Sequence, residues 1–268
     1  MVEFFKVLSL AHECVPETVN GRTFYQGPSP DEVTLVDFAK YQGFDFMETT
    51  DVSIGIQLNQ WCDPPQAVKY EVFRRMEFNS DRKRMSIIVK DPVDGHIKMF
   101  TKGADSIIKA RLDNTQLDKR MWTDIDTFLS KASAKGLRTL LMAMRVIDPD
   151  EFKEFNQRVA EAERDVMKRD KILADIFDDF ERGLVLLGAT AVEDRLQDNV
   201  PSTIHDLQDA GIKIWMLTGD KLETAENIGY SCKLLSKEME VWKISSQKEV
   251  DDVCSPARVK LNSELIKQ

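Results

Sequence analysis

The feature that most restricts the fold is a series of alternating apolar residues between positions 52 and 100. The alternation is clear at 52–58 and again along 68–78. Two further runs, 85–90 and 97–101, flank an Asp-Pro-Val-Asp-Gly segment at 91–95, a composition typical of a hairpin turn. A period of two predicts strands with one face to a core, and a short turn joins antiparallel neighbours. These residues therefore predict an antiparallel sheet.

Helical patterns surround this strand region. Helix-like spacing covers 4–14, 30–41, a segment beginning at Ala104, 116–134, and 151 to about 171, while 15–30 is predicted to be a loop. Pro30 and the Asp-Pro-Asp segment at 148–150 are typical helix starts. With a further buried strand at 137–147, residues 1–182 are predicted to form an α+β domain.

The pattern changes after Gly183. Residues 184–192 form an apolar run suited to a parallel strand buried on both faces, followed by a helix at 199–209 and a strand at 212–217. A Thr-Gly-Asp loop then leads into a helix at 221–231. This order is typical of half a doubly wound α/β sheet, so 183–235 is predicted to be a partial α/β domain. Residues 236–268 are predicted to be an irregular tail or insertion.

Composition excludes several classes of protein. Lys and Arg number 37 against 46 Asp and Glu, a net charge of −9, which argues against a nucleic-acid partner. The four cysteines and three histidines show no zinc-site spacing, so reduced thiols and no metal ligands are predicted. Glu3 and Lys6 interrupt any signal-peptide pattern, and no apolar stretch approaches about 20 residues. A soluble cytosolic chain is expected.

Two short loops could bind phosphate. Thr218, Gly219 and Asp220 follow a predicted strand and precede a helix, where a hydroxyl, backbone N–H groups and the helix N-terminus converge. Lys102 precedes Gly103 at another strand-to-helix junction, where the glycine is expected to let a ligand approach the backbone. The alternatives are an ordinary capped turn and a solvated lysine.

A basic segment surrounds Phe78. Residues 74–84 carry a net charge of +3 within an acidic chain. An aromatic ring among cations could stack on a nucleotide base while the cations meet its phosphates. The alternative is a core phenylalanine beside a solvated basic edge strand.

The order of these segments is more specific than any one of them. The chain contains Ser-Pro-Asp-Glu at 29–32, Arg-Lys-Arg-Met-Ser at 82–86, Lys-Gly-Ala-Asp at 102–105, Gly-Leu-Arg-Thr-Leu at 136–140, Glu-Asp-Arg-Leu-Gln at 193–197 and Thr-Gly-Asp-Lys at 218–221. The series closely resembles the cytoplasmic region of P-type ATPases over roughly residues 4–235. The first two segments look like the phospholipid flippase branch, type IV.

The resemblance implies an ATP-binding domain followed by part of a haloacid-dehalogenase-like phosphorylation domain. It implies a nucleotide site made of Glu32 on the adenine, Phe78 stacked on its ring, and Ser80, Lys83, Lys102, Arg138 and Thr139 along the nucleotide. Thr218, Gly219 and Asp220 would support phosphoryl transfer, and 193–195 would be the interdomain hinge. Positioning and charge neutralisation dominate phosphoryl transfer, which suits these residue types.

The same resemblance also shows what this sequence lacks. The family's phosphorylated aspartate, in Asp-Lys-Thr-Gly-Thr, and its Gly-Asp-Gly-x-Asn-Asp magnesium segment are absent, as are membrane helices. The chain is thus expected to bind ATP at the cytosolic face of a parent pump, with Mg²⁺ ligands elsewhere, and to be non-catalytic alone. The phospholipid would be handled by the missing membrane segments. Alternatives are a free-standing nucleotide- or partner-binding module and, less well supported because no Asp-x-Asp follows an apolar strand, a soluble phosphatase.

Overall fold

The computed structural model describes residues 1–20, 22–59, 64–113, 115, 119–165, 167–193, 195–219, 222–244 and 246–253. The chain divides into two compact units, one of residues 1–195 with 219–225 and the other of 196–218 with the residues from 226 onward. None of the described helices is both long and apolar enough to cross a membrane.

The described residues form nine helices and nine strands. The helices are α1 (Val2–Leu10), α2 (Pro30–Tyr41), α3 (Asp105–Lys109), α4 (Lys119–Ala134), α5 (Pro149–Ala162), α6 (Arg169–Phe180), α7 (Val200–Asp209), α8 (Leu222–Ser231) and α9 (Gln247–Val253). The strands are β1 (Val15–Val19), β2 (Arg22–Gln26), β3 (Phe44–Thr49), β4 (Ser53–Leu58), β5 (Gln66–Met76), β6 (Arg84–Lys90), β7 (Ile97–Gly103), β8 (Arg138–Ile147) and β9 (Val185–Val192).

The first unit is built on a seven-stranded antiparallel sheet. Strands β3 to β9 lie in chain order, each paired with the next, and β1 and β2 form a separate hairpin. The predicted turn between β6 and β7 is confirmed: the Asp91 amide donates to the His96 carbonyl at 2.9 Å, and Gly95 has a φ of 74°. The prediction of an antiparallel sheet with helices is therefore confirmed.

Both faces of this sheet are buried. Ile87 and Phe100 are paired across β6 and β7 and belong to the core under α1 and α2. Their neighbours Ile88 and Met99 are also paired, but they belong to the opposite core, under α3 to α6. Alternate side chains of a strand point to opposite faces, so the central strands supply two cores at once.

The strand at 185–192 was predicted in the wrong arrangement. β9 pairs antiparallel with β8, not with a parallel neighbour. Its adjacent residues Leu186 and Leu187 pack into opposite cores, which explains the continuous apolar run. An antiparallel strand covered on both faces has the same apolar pattern as a parallel one, so the sequence could not distinguish them.

Two further predictions need correction, and one strand was missed. Residues 15–30 contain the β1–β2 hairpin, whose mostly exposed side chains show no apolar alternation. The charged helix predicted for 151–171 ends at Ala162, and α6 begins separately at Arg169. β3 was not predicted at all.

The described residues of the second unit contain α7, α9 and most of α8, but no strand. α7 begins after Asn199, has Pro201 in its first turn, and is followed by Gly211 with a φ of 75°, as predicted. The strand predicted at 212–217 is not formed: Trp215 and Leu217 are 83% and 94% exposed. A strand requires a hydrogen-bonded neighbour, and the described part of the chain supplies none there.

Candidate functional site

A cleft of about 490 Å³ lies in the first unit, where the N-terminus of α2 meets the ends of β6 and β7. It is lined by residues from six separate segments: Glu13, Pro28, Ser29, Asp31, Glu32, Leu35, Phe78, Met85, Lys102, Gly103 and Leu140. Three of the residues predicted to bind a nucleotide, Glu32, Phe78 and Lys102, therefore share one cavity. A hollow of about 540 Å³ in the second unit, lined by 208 and 211–215, contains none of them.

The start of α2 holds Glu32 in a defined position. The Ser29 hydroxyl caps the helix by accepting the Glu32 amide at 3.2 Å, and Pro30 occupies the first turn. Lys102 Nζ donates to Glu32 Oε1 at 2.5 Å, and the Glu13 amide donates to Oε2 at 3.2 Å. Both side chains of the ion pair are largely buried, 14% exposed for Glu32 and 8% for Lys102. The carboxylate is thus fixed from two sides at the cleft wall.

Phe78 forms an exposed wall of the cleft. It follows β5, its side chain is 58% exposed, and its amide donates to Glu13 Oε1 at 3.4 Å. Leu35 and Met85, which are almost fully buried, supply apolar surface in the same cavity. The alternative of a core phenylalanine beside a solvated edge strand is wrong, because Phe78 is exposed. An aromatic face beside apolar side chains suits a flat ring.

The close packing of β6 and β7 requires a glycine at position 103. Gly103 pairs with Arg84 across β6 and β7. A Cβ added to Gly103 would lie 2.7 Å from Arg84 Cβ and 2.8 Å from the Lys83 carbonyl oxygen. The glycine lines the cleft, but the close approach of β6 requires it.

The remaining predicted residues lie outside the cleft lining. Ser80 and Lys83 are exposed on the loop between β5 and β6, and Lys83 has a left-handed backbone with a φ of 50°. Arg138 begins β8, where its Nη1 lies 3.2 Å from Asp31 Oδ2, and Thr139 follows it. At the predicted phosphate loop, Thr218 belongs to the second unit and Gly219 to the first, while Asp220 lies outside the described residues. Asp194 of the predicted hinge also lies outside them.

Two titratable groups behind the cleft are held neutral. Burial, helped by the nearby Lys102 ammonium, lowers the pKa of His12 to about 3. The His12 Nε2 bonds the Ser9 carbonyl at 2.9 Å, and its Nδ1 accepts the Cys14 amide at 3.1 Å. Burial raises the pKa of the Cys14 thiol to about 11, and the nearby Glu32 charge contributes to the same shift. The local charge of the cleft is therefore carried by its carboxylates and by Lys102.

The residues predicted from the sequence to bind a nucleotide did not include seven that line the cleft: Glu13, Pro28, Ser29, Asp31, Leu35, Met85 and Leu140. Asp31 lies within the recognised Ser-Pro-Asp-Glu segment, but Glu13 has no local motif that would mark it. Within the described ranges, no group of three or more His, Cys, Asp or Glu side chains could hold a metal ion.

A family model described as P-type ATPase, cytoplasmic domain N, matches residues 2–199 of this chain. The chain belongs to this P-type ATPase family. The matched range contains every residue that lines the cleft. The family recognised from the six sequence segments is thereby confirmed.

Curated relatives of the chain are phospholipid-transporting ATPases. It is 44% identical over 241 residues to phospholipid-transporting ATPase IC of Xenopus tropicalis, covering 89% of the chain and 18% of the relative. It is 42% identical over 237 residues to the human protein of the same name, with 88% and 18% covered. It is also 42% identical over 253 residues to phospholipid-transporting ATPase DRS2 of Saccharomyces cerevisiae, with 93% and 18% covered. The chain spans about a fifth of the length of these relatives.

Proposed function

We propose that the cleft binds the adenine end of ATP, and that this P-type ATPase chain serves as the nucleotide-binding part of an ATP-driven phospholipid translocase. The observation that carries the proposal is the exposed Phe78 ring, which shares one cavity with the fixed Glu32–Lys102 pair. The translocase activity and the phospholipid substrate are proposed from the names of the relatives. A binding module unrelated to a pump is not favoured by these relatives.

The cleft suits a purine base in shape and chemistry. Phe78 would stack on one face of the base, while Leu35, Met85 and Leu140 supply the apolar surroundings. Stacking of a base on an aromatic side chain contributes about 1–3 kcal/mol. A carboxylate oxygen has two lone pairs, so Glu32 could accept a hydrogen bond from an adenine amino group while keeping Lys102.

The phosphates are proposed to extend from the cleft toward basic side chains. Lys102 would act as a point charge, and Arg138 at the start of β8 would offer a planar guanidinium. Ser80, Lys83 and Thr139 remain proposed contacts along the nucleotide. Mg²⁺, when bound with ATP, would neutralise phosphate charge, and none of the described residues is assigned to it.

The proposal extends to the second part of the chain. Residues 183–235 would form part of a haloacid-dehalogenase-like phosphorylation domain, with Thr218, Gly219 and Asp220 supporting phosphoryl transfer and 193–195 as the hinge. β9, at the start of this range, pairs with β8 in the antiparallel sheet of the first unit. In the parent pump these domains would lie at the cytosolic face of the membrane. The family name supports the cytoplasmic placement.

Calorimetric titration of the 268-residue chain with ATP tests the nucleotide site. Phe78→Ala is expected to weaken binding at least fivefold, because a stacking surface worth about 1–3 kcal/mol is removed. Lys102→Met keeps the aliphatic stem but removes the charge, and it is also expected to weaken binding. Phe24→Ala is the matched control, since Phe24 is 53% exposed on β2 and does not line the cleft. Equal ATP affinity in wild type, Phe78→Ala and Lys102→Met would refute the site.

A further inference from the structure

A buried carboxylate lies on the far side of the loop that carries Phe78. Glu181 caps the C-terminus of α6 and is fully buried. Its Oε1 accepts from Arg82 Nη2 at 2.5 Å, and its Oε2 accepts from Arg84 Nε at 2.7 Å. The Ser86 hydroxyl also donates to Oε1. No local motif marked this residue in the sequence, since its partners are more than 90 residues away.

Arg82 connects this carboxylate to the loop of residues 77–82, which carries Phe78. While its Nη2 bonds Glu181, its Nη1 donates to the carbonyl oxygen of Glu77 at 2.8 Å. Glu77 immediately precedes Phe78. The Arg82 amide also donates to Asn79 Oδ1 at 2.7 Å, on the other side of Phe78 in the chain. The Arg82 side chain therefore holds the backbone carbonyl just before Phe78, and the Arg82 backbone amide holds the Asn79 side chain just after it.

The other arginine of the cluster has a second anchor. Arg84 Nη2 lies 3.0 Å from Asp178 Oδ1. Arg84 Nη1 donates to the Arg82 carbonyl at 3.1 Å. Loss of the Glu181 charge would thus leave Arg84 paired, whereas Arg82 would lose its carboxylate partner and its position would be less restricted. Charge-assisted bonds to a buried carboxylate are stronger and more directional than bonds to a neutral amide.

We propose that Glu181 is a positioning residue for ATP binding: through Arg82 it fixes the 77–82 loop so that the Phe78 ring is presented to the cleft. Glu181 does not line the cleft, so it would act on the nucleotide only through the loop. The inference rests on the proposed function, because it assigns Glu181 to the same adenine site. Preorganisation of Phe78 removes part of the ordering cost that ATP binding would otherwise bear.

A double-mutant cycle on the 268-residue chain tests this role. ATP affinity is measured for wild type, Glu181→Gln, Phe78→Ala and the double variant. Glu181→Gln keeps the side-chain shape and is expected to weaken ATP binding about two- to fivefold, less than Phe78→Ala, because only part of the stacking contribution is lost. If Glu181 acts through the ring, the double variant should bind no more weakly than Phe78→Ala alone. A purely structural role would not produce this dependence on Phe78.

The control is Asp179→Asn. Asp179 is adjacent to Asp178 near the end of α6, its side chain is 64% exposed, and it pairs with Arg158 at 3.4 Å. The Asp179→Asn variant should bind ATP with an affinity within twofold of wild type. Arg82→Gln repeats the test from the other partner and leaves Glu181 paired with Arg84, so a folding defect in Glu181→Gln does not end the experiment.

The outcomes separate the two proposals. If wild type binds ATP and Phe78→Ala weakens it, but Glu181→Gln and Arg82→Gln bind normally, the positioning role is overturned while the site stands. Losses that multiply in the double variant also overturn it. A wild-type chain that does not bind ATP, or a Phe78→Ala variant that binds equally well, refutes the proposed site and the positioning role with it.

Discussion

Gly103→Ala is a direct test of how β6 and β7 form the edge of the cleft. The new Cβ would lie 2.7 Å from Arg84 Cβ, 2.8 Å from the Lys83 carbonyl oxygen and 3.0 Å from Arg84 Cα. Ordinary contacts of this kind begin at about 3.4 Å. Two of the three close atoms belong to the backbone, so a side-chain rotation cannot relieve the overlap.

The expected cost follows from what must move. Overpacking of a well-packed site costs about 1–3 kcal/mol. Separating the strands would also weaken the 3.1 Å bond from the Ala104 amide to the Lys83 carbonyl, a further contribution of about 1 kcal/mol. We expect the free energy of unfolding to fall by about 2–4 kcal/mol. For a unit of this size that corresponds to a decrease in Tm of about 5–15 °C.

Thermal and urea unfolding followed by circular dichroism measure this loss. Gly219→Ala is the matched control, because a Cβ there meets nothing within 4 Å and its φ is not left-handed. It should leave Tm within about 2 °C of wild type. A Gly103→Ala variant as stable as the Gly219→Ala control would show that β6 and β7 are not packed as closely as described.

Three other substitutions test separate parts of the fold. The pKa of His12 is lowered to about 3 in the folded chain, so at acid pH the unfolded chain binds a proton that the folded chain excludes. As the pH is lowered from 6.5 toward 3, the free energy of unfolding therefore decreases by about 1.4 kcal/mol per pH unit. Urea unfolding at pH 7 and pH 5 should show that His12→Asn removes about 2 kcal/mol of this dependence; an unchanged difference would contradict it. Asp91→Asn removes the buried carboxylate that pairs with Lys6 and Lys98, at 2.6 and 2.8 Å, while Lys6 keeps Glu3 and Lys98 keeps Asp94; it should lower the free energy of unfolding by about 2–3 kcal/mol in the same assay. Asp148→Ala removes the cap on α5, where the Asp150 amide donates at 2.9 Å, and should cost about 1 kcal/mol; a Tm equal to wild type would show that the cap contributes nothing.

Local patterns predicted much of the first unit. The turn at 91–95 and the helix that begins at Pro30 depend on residues within one or two turns, so the sequence is sufficient for them. The β1–β2 hairpin left no such local pattern, because a strand with exposed side chains on both faces has no apolar period. Pairing partners also lie beyond a local pattern, which is why β9 was assigned a parallel neighbour.

The candidate site divides in the same way. Glu32, Phe78 and Lys102 were named from short segments whose order is characteristic of the family, and the structure places all three in one cleft. Glu13 and Glu181 were not named, since their contacts come from residues distant in the chain and leave no nearby motif. The alternative of a solvated lysine at position 102 is wrong, because Lys102 is almost buried and paired with Glu32.

By itself, the sequence determined the family, the antiparallel character of the sheet and the residue types available for a nucleotide, because these depend on short segments and on their order. Only the tertiary structure decided that Phe78 is an exposed wall and not a core residue, that Gly103 is required by its strand neighbour, and that Glu181 is bonded to Arg82 of the loop that carries Phe78. The physical reason is that burial, close approach and charge pairing depend on which distant segments meet. A local period carries no record of those partners.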